Sequence, residues 1–216
     1  MIKAVLFDLD GTLADTAPDL GRAINRMRSA RGLPELPLSA TRPVTSHGAR
    51  GLLHAGFGIG PGHPDYRAMR QEFLALYEQD ICRETRLFPG NPELLASIEE
   101  RGLRWGIVTN KAERLARLLL AKLGLAAHAA CIVGGDSTPH IKPHPASLLH
   151  AAEVLNLAPK ECMYLGDDLR DIQAARAAGM HPIAVDWGYH HPEHGGAGTW
   201  QADTVIARPH ELTALL

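Results

Sequence analysis

The chain predicts an α/β fold, a doubly wound parallel sheet carrying an inserted α-helical segment, and three observations predict it. Short apolar or β-branched runs alternate with helical patterns along most of the sequence. One stretch, 16–86, breaks that rhythm and lacks strand signals. Several of the strand-like runs end in a cluster of polar residues, as expected where strands deliver side chains to one edge of an open sheet. In order, strands are expected near 3–8, 104–109, 130–133, 162–166 and 182–186, and helices near 92–101, 112–123, 145–156 and 170–178. Pro92 and Pro145 fall where a first helical turn accepts proline, because the N–H that proline lacks has no intrahelical partner there. A strand–helix–strand repeat of this kind gives parallel pairing through right-handed crossovers. Between 16 and 86 the pattern is helical, with Pro- and Gly-rich joints at 32–37 and 56–64. That stretch reads as a lid.

Composition narrows the function classes. A chain of 216 residues can bury one solid core and a smaller accessory unit. A net charge of -2 with scattered Lys and Arg offers no basic field for nucleic acid or an anionic membrane surface. The first apolar run is cut by Asp8 after a few residues, so it reads neither as a signal peptide nor as a membrane span. Cys82, Cys131 and Cys162 are odd in number, lie in apolar contexts and show no C-x-x-C spacing; buried, reduced thiols in a cytoplasmic protein are expected. Nothing in the composition fixes the oligomeric state, and a monomer is compatible with it.

Asp8-Leu9-Asp10-Gly11-Thr12 follows the apolar run Ala4-Val5-Leu6-Phe7 directly. Two carboxylates at a strand's exit, with a glycine to turn the chain, can hold a hard divalent cation while one of them attacks an electrophile. A lone D-x-D more often caps a turn or a helix. Three further segments change the balance: Gly106-Ile107-Val108-Thr109-Asn110, Ile141-Lys142-Pro143-His144-Pro145, and Met163-Tyr164-Leu165-Gly166-Asp167-Asp168-Leu169-Arg170-Asp171. They supply a hydroxyl and an amide, a cation on a stiffened loop, and three carboxylates. All can converge beyond the carboxyl ends of the strands.

With these four segments in this order, the chain resembles the haloacid dehalogenase superfamily of phosphatases over essentially its whole length. The resemblance implies a Rossmann-like catalytic core, 1–15 and 87–216, and a helical cap, 16–86. The 31 residues between Asn110 and Lys142 are too few for the larger α/β cap found elsewhere in that superfamily. The resemblance also implies roles. Asp8 becomes the nucleophile that forms an aspartyl-phosphate. Asp10 protonates the leaving alkoxide and later deprotonates water. Mg²⁺ is the implied cofactor, held by Asp8, Asp167 and the backbone carbonyl of Asp10. Thr109, the Asn110 backbone N–H and Lys142 contact the phosphoryl oxygens, and Asp168 and Asp171 hold metal-bound waters or Lys142. The expected charge balance agrees, because five carboxylates in one cleft require cations beside them.

Each of these residues also has a plainer reading. Thr109 and Asn110 could form a helix N-cap, Lys142 could be a solvated loop lysine, and Asp168 and Asp171 could cap the helix beginning near Leu169. In the lid, Ser46-His47-Gly48-Ala49-Arg50 joins small residues, an imidazole and a guanidinium ahead of Leu52-Leu53. Arg50 suits a substrate carboxylate, and equally suits a solvated helix start. His190, His191 and His194 lack an accompanying cysteine and lie in a Gly/Pro-rich loop, so a loop near the substrate entrance is expected rather than a zinc site.

Within the superfamily, Phe88-Pro89-Gly90, Val108-Thr109-Asn110-Lys111 and Gly166-Asp167-Asp168 resemble the phosphoglycolate phosphatase group. Gly48-Ala49-Arg50, the Trp105–Lys111 and Gly166–Ile172 segments, Gly188-Tyr189 with His191-Pro192-Glu193, and Trp200 with Ala202-Asp203 resemble bacterial N-acetylmuramic acid 6-phosphate phosphatases. The implied substrate is a small phosphate ester bearing a carboxylate, either N-acetylmuramic acid 6-phosphate or 2-phosphoglycolate. A phosphosugar mutase shares the same core motifs. A dehalogenase would not need Asp10, and an inactive phosphate-binding module would usually have lost one of the motif residues.

Overall fold

Alternate side chains of a strand point to opposite faces of its sheet, so a strand that is apolar at every position must be covered on both sides. The first strand, β1 (Ala4–Phe7), is such a strand. Val5 and Phe7 enter one core cluster and Ala4 and Leu6 the other, all with no exposed surface. The computed structural model describes residues 1–190 and 194–216. In it β1 is followed by β2 (Ala14–Asp15), then α1 (Ala17–Ser29), α2 (Leu38–Thr41), a 3-10 segment (Arg42–His47), α3 (Gly48–Phe57), α4 (Tyr66–Gln79) and β3 (Arg86–Leu87). The remainder alternates: α5 (Asn91–Glu100), β4 (Arg104–Val108), α6 (Glu113–Lys122), β5 (Ile132–Val133), α7 (Ala146–Leu155), β6 (Cys162–Gly166), α8 (Leu169–Ala178), β7 (His181–Val185) and β8 (Thr204–Ile206).

Six strands form one parallel sheet in the order β5-β4-β1-β6-β7-β8. Phe7 pairs with Ile107 on one side and with Leu165 on the other, so β1, β4 and β6 end level with one another. The chain leaves β1 toward β4 and β5, then returns to β6 on the opposite side. Such a reversal of direction opens a crevice at the strands' carboxyl ends, where ligands bind in folds of this kind. Helices α5 and α6 cover the face that carries Val5, Phe7, Trp105 and Ile107, and α7 with α8 covers the other. The inner face of α8 is Ala174, Ala175 and Ala178, which lets it lie close to the sheet.

The expected strands and helices occur with ends shifted by one or two residues, and the sheet is doubly wound and parallel. Three features were not expected. β8 adds a sixth strand to the sheet. Cys131 and Cys162 are buried and unpaired, whereas Cys82, which the sequence suggested was buried, is half-buried. A two-stranded antiparallel ribbon, β2 with β3, joins Ala14 to Leu87 and Asp15 to Arg86 at the two ends of the helical insert. Two-residue strands carry too little pattern to be read from sequence. No helix among the described residues is long and apolar enough to cross a membrane.

A buried carboxylate fastens the insert beside this ribbon. Asp19 of α1, 1% exposed, accepts hydrogen bonds from Thr85 N (2.9 Å), Thr85 Oγ1 (2.7 Å) and Glu84 N (3.0 Å), and it pairs with Arg22. Burial alone would raise its pKa, but these donors together hold it below the ordinary carboxylate value. A group depressed in the folded state stabilises above its unfolded pKa, and that stabilisation is lost as pH falls through the folded pKa. Asp19→Ala should therefore cost roughly 2–4 kcal/mol near neutral pH, because buried donors are left unpaired. Denaturant melts of wild type and variant should converge as pH drops below about 4, the unfolded carboxylate value. A stability gap that persists in acid would mean that Asp19 acts by packing alone.

Candidate active site

The carboxyl ends of β1, β4 and β6 deliver their side chains to one crevice. Asp8 follows β1, and its N–H donates to Leu165 O at 2.9 Å, which carries the strand pairing one residue beyond β1. Gly11 has φ of +92° and faces Asp167 so closely that a Cβ there would overlap the carboxylate. Gly188 approaches the same group from the loop after β7, and a Cβ there would overlap it too. Asp167 is held between these glycines by Thr12 Oγ1 (2.8 Å) and Tyr189 N (2.9 Å). Asp8, Asp167 and Asp171 each offer an oxygen, and these atoms lie within 4.8 Å of one another.

One buried cation meets this cluster. Lys142, 3% exposed, places Nζ 2.9 Å from Asp8 Oδ1 and 2.7 Å from Asp171 Oδ1, and donates to Tyr164 Oη (2.7 Å) and Val108 O (3.2 Å). Its backbone is tied to Asn110 twice: Lys142 N donates to Asn110 Oδ1 (2.9 Å), and Asn110 Nδ2 donates to Lys142 O (3.1 Å). Burial opposes the charge on Lys142, but Asp171 and Asp8 outweigh it and hold the ammonium above its ordinary pKa. Burial pushes Asp171 up to about 6 although Lys142 pulls it down, and it pushes Asp167 well above the carboxylate range with Asp8 and Asp171 adding to the effect. A single ammonium thus stands against three carboxylates. Asp8 Oδ1 has the Lys142 ammonium beside it at 2.9 Å, which leaves the charge of the other carboxylates only partly balanced. An all-oxygen donor set with surplus negative charge fits a hard divalent cation.

Asp168 has other partners. Its side chain caps α8 by accepting from Arg170 N (2.9 Å), while Asp171 closes the capping box onto Asp168 N at 3.1 Å. The Arg170 guanidinium grips both Asp168 oxygens at 2.9 Å. Burial would raise the Asp168 pKa, but Arg170 overrides it and brings it to about 2. Arg170 also donates to Ser46 O at 3.1 Å, which joins the 3-10 segment of the insert to the core. His194 sits 3.3 Å from Asp168, and its ring lies 5.6 Å from that of His47. These two imidazoles and Asp168 could themselves hold a metal by proximity, but Arg170 already occupies the carboxylate. Asp10 has a different cation. Lys111 Nζ approaches its two oxygens at 2.9 and 3.1 Å, and Thr16 Oγ1 donates to it at 2.6 Å.

A cavity of about 790 Å³ spans this crevice and the insert. Asp8, Asp10, Thr109, Asn110, Lys142, Asp168 and Asp171 line it from the core, and Ser46, His47, Gly48 and Arg50 from the insert. Asp167 does not line it, although one of its oxygens lies within 4.8 Å of one of Asp8. Thr109 and Asn110 do not cap α6, whose N-cap is Ala112; Thr109 Oγ1 instead accepts from Lys111 N at 3.2 Å. Arg50, in the first turn of α3, is exposed and makes no ion pair or hydrogen bond among the described residues. The histidine loop is divided. His194 lines the cavity, but His190 bonds Val185 O and meets Trp200 edge-on at 5.7 Å; His191 lies outside the described residues. Sequence reasoning passed over Lys111, Arg170, Tyr164 and Tyr189 as parts of the site. For Lys111 and Arg170 the signal was adjacency to Asn110 and Asp168 within segments that carry the resemblance.

Comparison with known proteins agrees with this geometry. The haloacid dehalogenase-like hydrolase family matches residues 5–185. The chain is 44% identical over 215 residues to the N-acetylmuramic acid 6-phosphate phosphatase of Pseudomonas aeruginosa, covering 100% of this chain and 95% of that protein. It is 45% identical over 213 residues to a phosphoglycolate phosphatase of Xanthomonas campestris pv. campestris, covering 97% and 94%. Among solved structures, one from Haemophilus somnus 129PT, described as a predicted phosphoglycolate phosphatase, superposes with a TM-score of 0.88 at 26% identity, covering 99% and 97%. The chain belongs to the haloacid dehalogenase-like hydrolase family, and within it to the phosphatases.

Proposed function

We propose that the protein is a Mg²⁺-dependent phosphomonoesterase that works through an aspartyl-phosphate, with 16–86 acting as a cap over the core of 1–15 and 87–216. The observation that carries this reading is Lys142, buried between Asp8 and Asp171 at the mouth of three strands. Asp8 attacks phosphorus in line, the ester P–O bond breaks, and Asp10, which enters this step as the neutral acid, gives the leaving alkoxide its proton and is left as the carboxylate. Water then attacks the aspartyl-phosphate, Asp10 takes the water's proton, and inorganic phosphate leaves. Lys142, Thr109 and the Asn110 N–H neutralise the equatorial oxygens that carry charge during both displacements. Asp8 and Asp167, with the Asp10 carbonyl, would hold Mg²⁺, which supplies further charge neutralisation and orients the phosphoryl group. Asp171 keeps Lys142 charged and aimed.

The substrate we favour is N-acetylmuramic acid 6-phosphate, on the size of the cavity. Pockets for ligands of drug size run from about 300 to 1,000 Å³, and 790 Å³ lies within that range. A two-carbon phosphoglycolate would leave most of this space to water. Arg50 would pair with the carboxylate carried by the substrate. The second reading, 2-phosphoglycolate, rests on the equally similar Xanthomonas relative. The unpaired buried thiols of Cys131 and Cys162 suit a reducing cytoplasm.

Three measurements test the reading. Asp8→Asn should keep the fold, judged by circular dichroism and melting, and lower kcat at least about a thousandfold, since the amide is not a nucleophile; retention of a substantial rate would remove Asp8 from its role. Chelation by EDTA should silence the enzyme and added Mg²⁺ should restore it, with full turnover in chelator counting against the mechanism. Arg50→Ala should cost roughly 1.5–3 kcal/mol in kcat/KM on N-acetylmuramic acid 6-phosphate, and far less on para-nitrophenyl phosphate. Equal losses on both would assign Arg50 to the cap's structure or closure rather than to carboxylate recognition.

A further inference from the structure

Asp10 has a setting that its assigned role does not explain. Both of its oxygens face the Lys111 ammonium, at 2.9 and 3.1 Å, and Oδ1 also accepts from Thr16 at 2.6 Å. The Lys111 side chain is only 7% exposed, and a buried ammonium needs compensation on every side it shows. Asp10 supplies one side. The other is the ring of Tyr77, whose centroid lies 4.6 Å from Lys111 Nζ. Tyr77 belongs to α4 of the insert and is 1% exposed, and burial pushes its hydroxyl up to about 12. It therefore meets Lys111 as a neutral aromatic face, an arrangement that is attractive and stronger when desolvated. Lys111 thus rests between a carboxylate of the core and a ring of the insert.

We propose that Lys111 is a positioning residue that aims Asp10, and that Tyr77 makes this aim depend on the insert lying over the core. Without the ring, the ammonium loses its partner on the insert side and is drawn toward water, and the Asp10 carboxylate is left with Thr16 alone. Thr16 cannot replace it, because a single hydroxyl fixes one oxygen and leaves the carboxyl plane free to rotate. A small misplacement of an acid–base group suffices to cost about a hundredfold in rate. The inference rests on Asp10 being the acid–base group of the proposed function.

The test is a double-mutant cycle. Lys111→Met should lower kcat on an alkyl phosphate about a hundredfold with KM changed less than about threefold. Single turnover with excess enzyme and the same alkyl phosphate, followed as phosphate release, keeps slow variants measurable. In that format Lys111→Met should cost less than about twofold in an Asp10→Asn background, because there is no longer a carboxylate to aim. Lys111→Arg should recover part of the rate and guards against a Met variant that melts early. Tyr77→Leu should lose more rate than Tyr77→Phe, which keeps the ring, and should add nothing to Lys111→Met. Equal losses from Lys111→Met in both backgrounds would mean that Lys111 acts independently of Asp10, and would overturn the inference while leaving the proposed function standing. An Asp10→Asn variant with wild-type kcat on alkyl phosphates would instead overturn the role of Asp10, and this inference with it. Equal losses from Tyr77→Phe and Tyr77→Leu would remove the dependence on the ring.

Discussion

Everything at the crevice depends on a buried ammonium. Lys142 is almost fully enclosed, and a lone charge in that position would cost several kcal/mol. Asp8 and Asp171 make its burial tolerable, and it in turn makes theirs tolerable. Geometry has to be fixed for such a pair to stabilise, and here it is fixed from four directions. Asn110 clamps the backbone of Lys142, while Tyr164, Val108 and Asp171 receive its protons. Asp171 is held in turn by the capping box of α8. Strand β4, strand β6 and the first turn of α8 therefore share one electrostatic knot with the residue that follows β1.

The two carboxylates of the first motif are separated by their partners. Asp8 meets Lys142, which belongs wholly to the core. Asp10 meets Lys111 and Thr16, at the border between core and insert. Tyr189 reinforces that border, since its hydroxyl accepts from Thr16 N (2.6 Å) and Ala17 N (2.9 Å) and donates to Asp15 (3.0 Å). Residues only two apart in sequence are thereby tied to different parts of the molecule. The setting of Asp8 is fixed within the core, while that of Asp10 includes a contact at the insert's edge. Arg170 makes a second bridge by holding Asp168 and reaching Ser46 O. Insert and core are joined across the crevice at these few contacts.

Much of this was legible in the chain. The alternation of strands and helices, the helical insert and the four motif segments carry strong local signals, because a strand buried on both faces must be apolar and a turn beside a carboxylate needs glycine. Asp8, Asp10, Thr109, Asn110, Lys142, Asp168 and Asp171 meet at one cavity because parallel strands end level. The ribbon of β2 and β3 was not legible, since two-residue strands leave no periodicity. Asp19 carries no local signal of its role, since its donors lie 65 and 66 residues away.

The sequence by itself determined the sheet, the order of its motifs and the class of chemistry, because each of these follows from local pattern and residue type. Tertiary structure decided how the charges are shared. Which carboxylate pairs with Lys142, which with Lys111 and which with Arg170 depends on distances of about 3 Å between residues far apart in the chain. No periodicity encodes such distances. They arise only when the strands are in register and the insert is seated on them, and there burial turns ordinary side chains such as Tyr77 and Tyr189 into parts of the site.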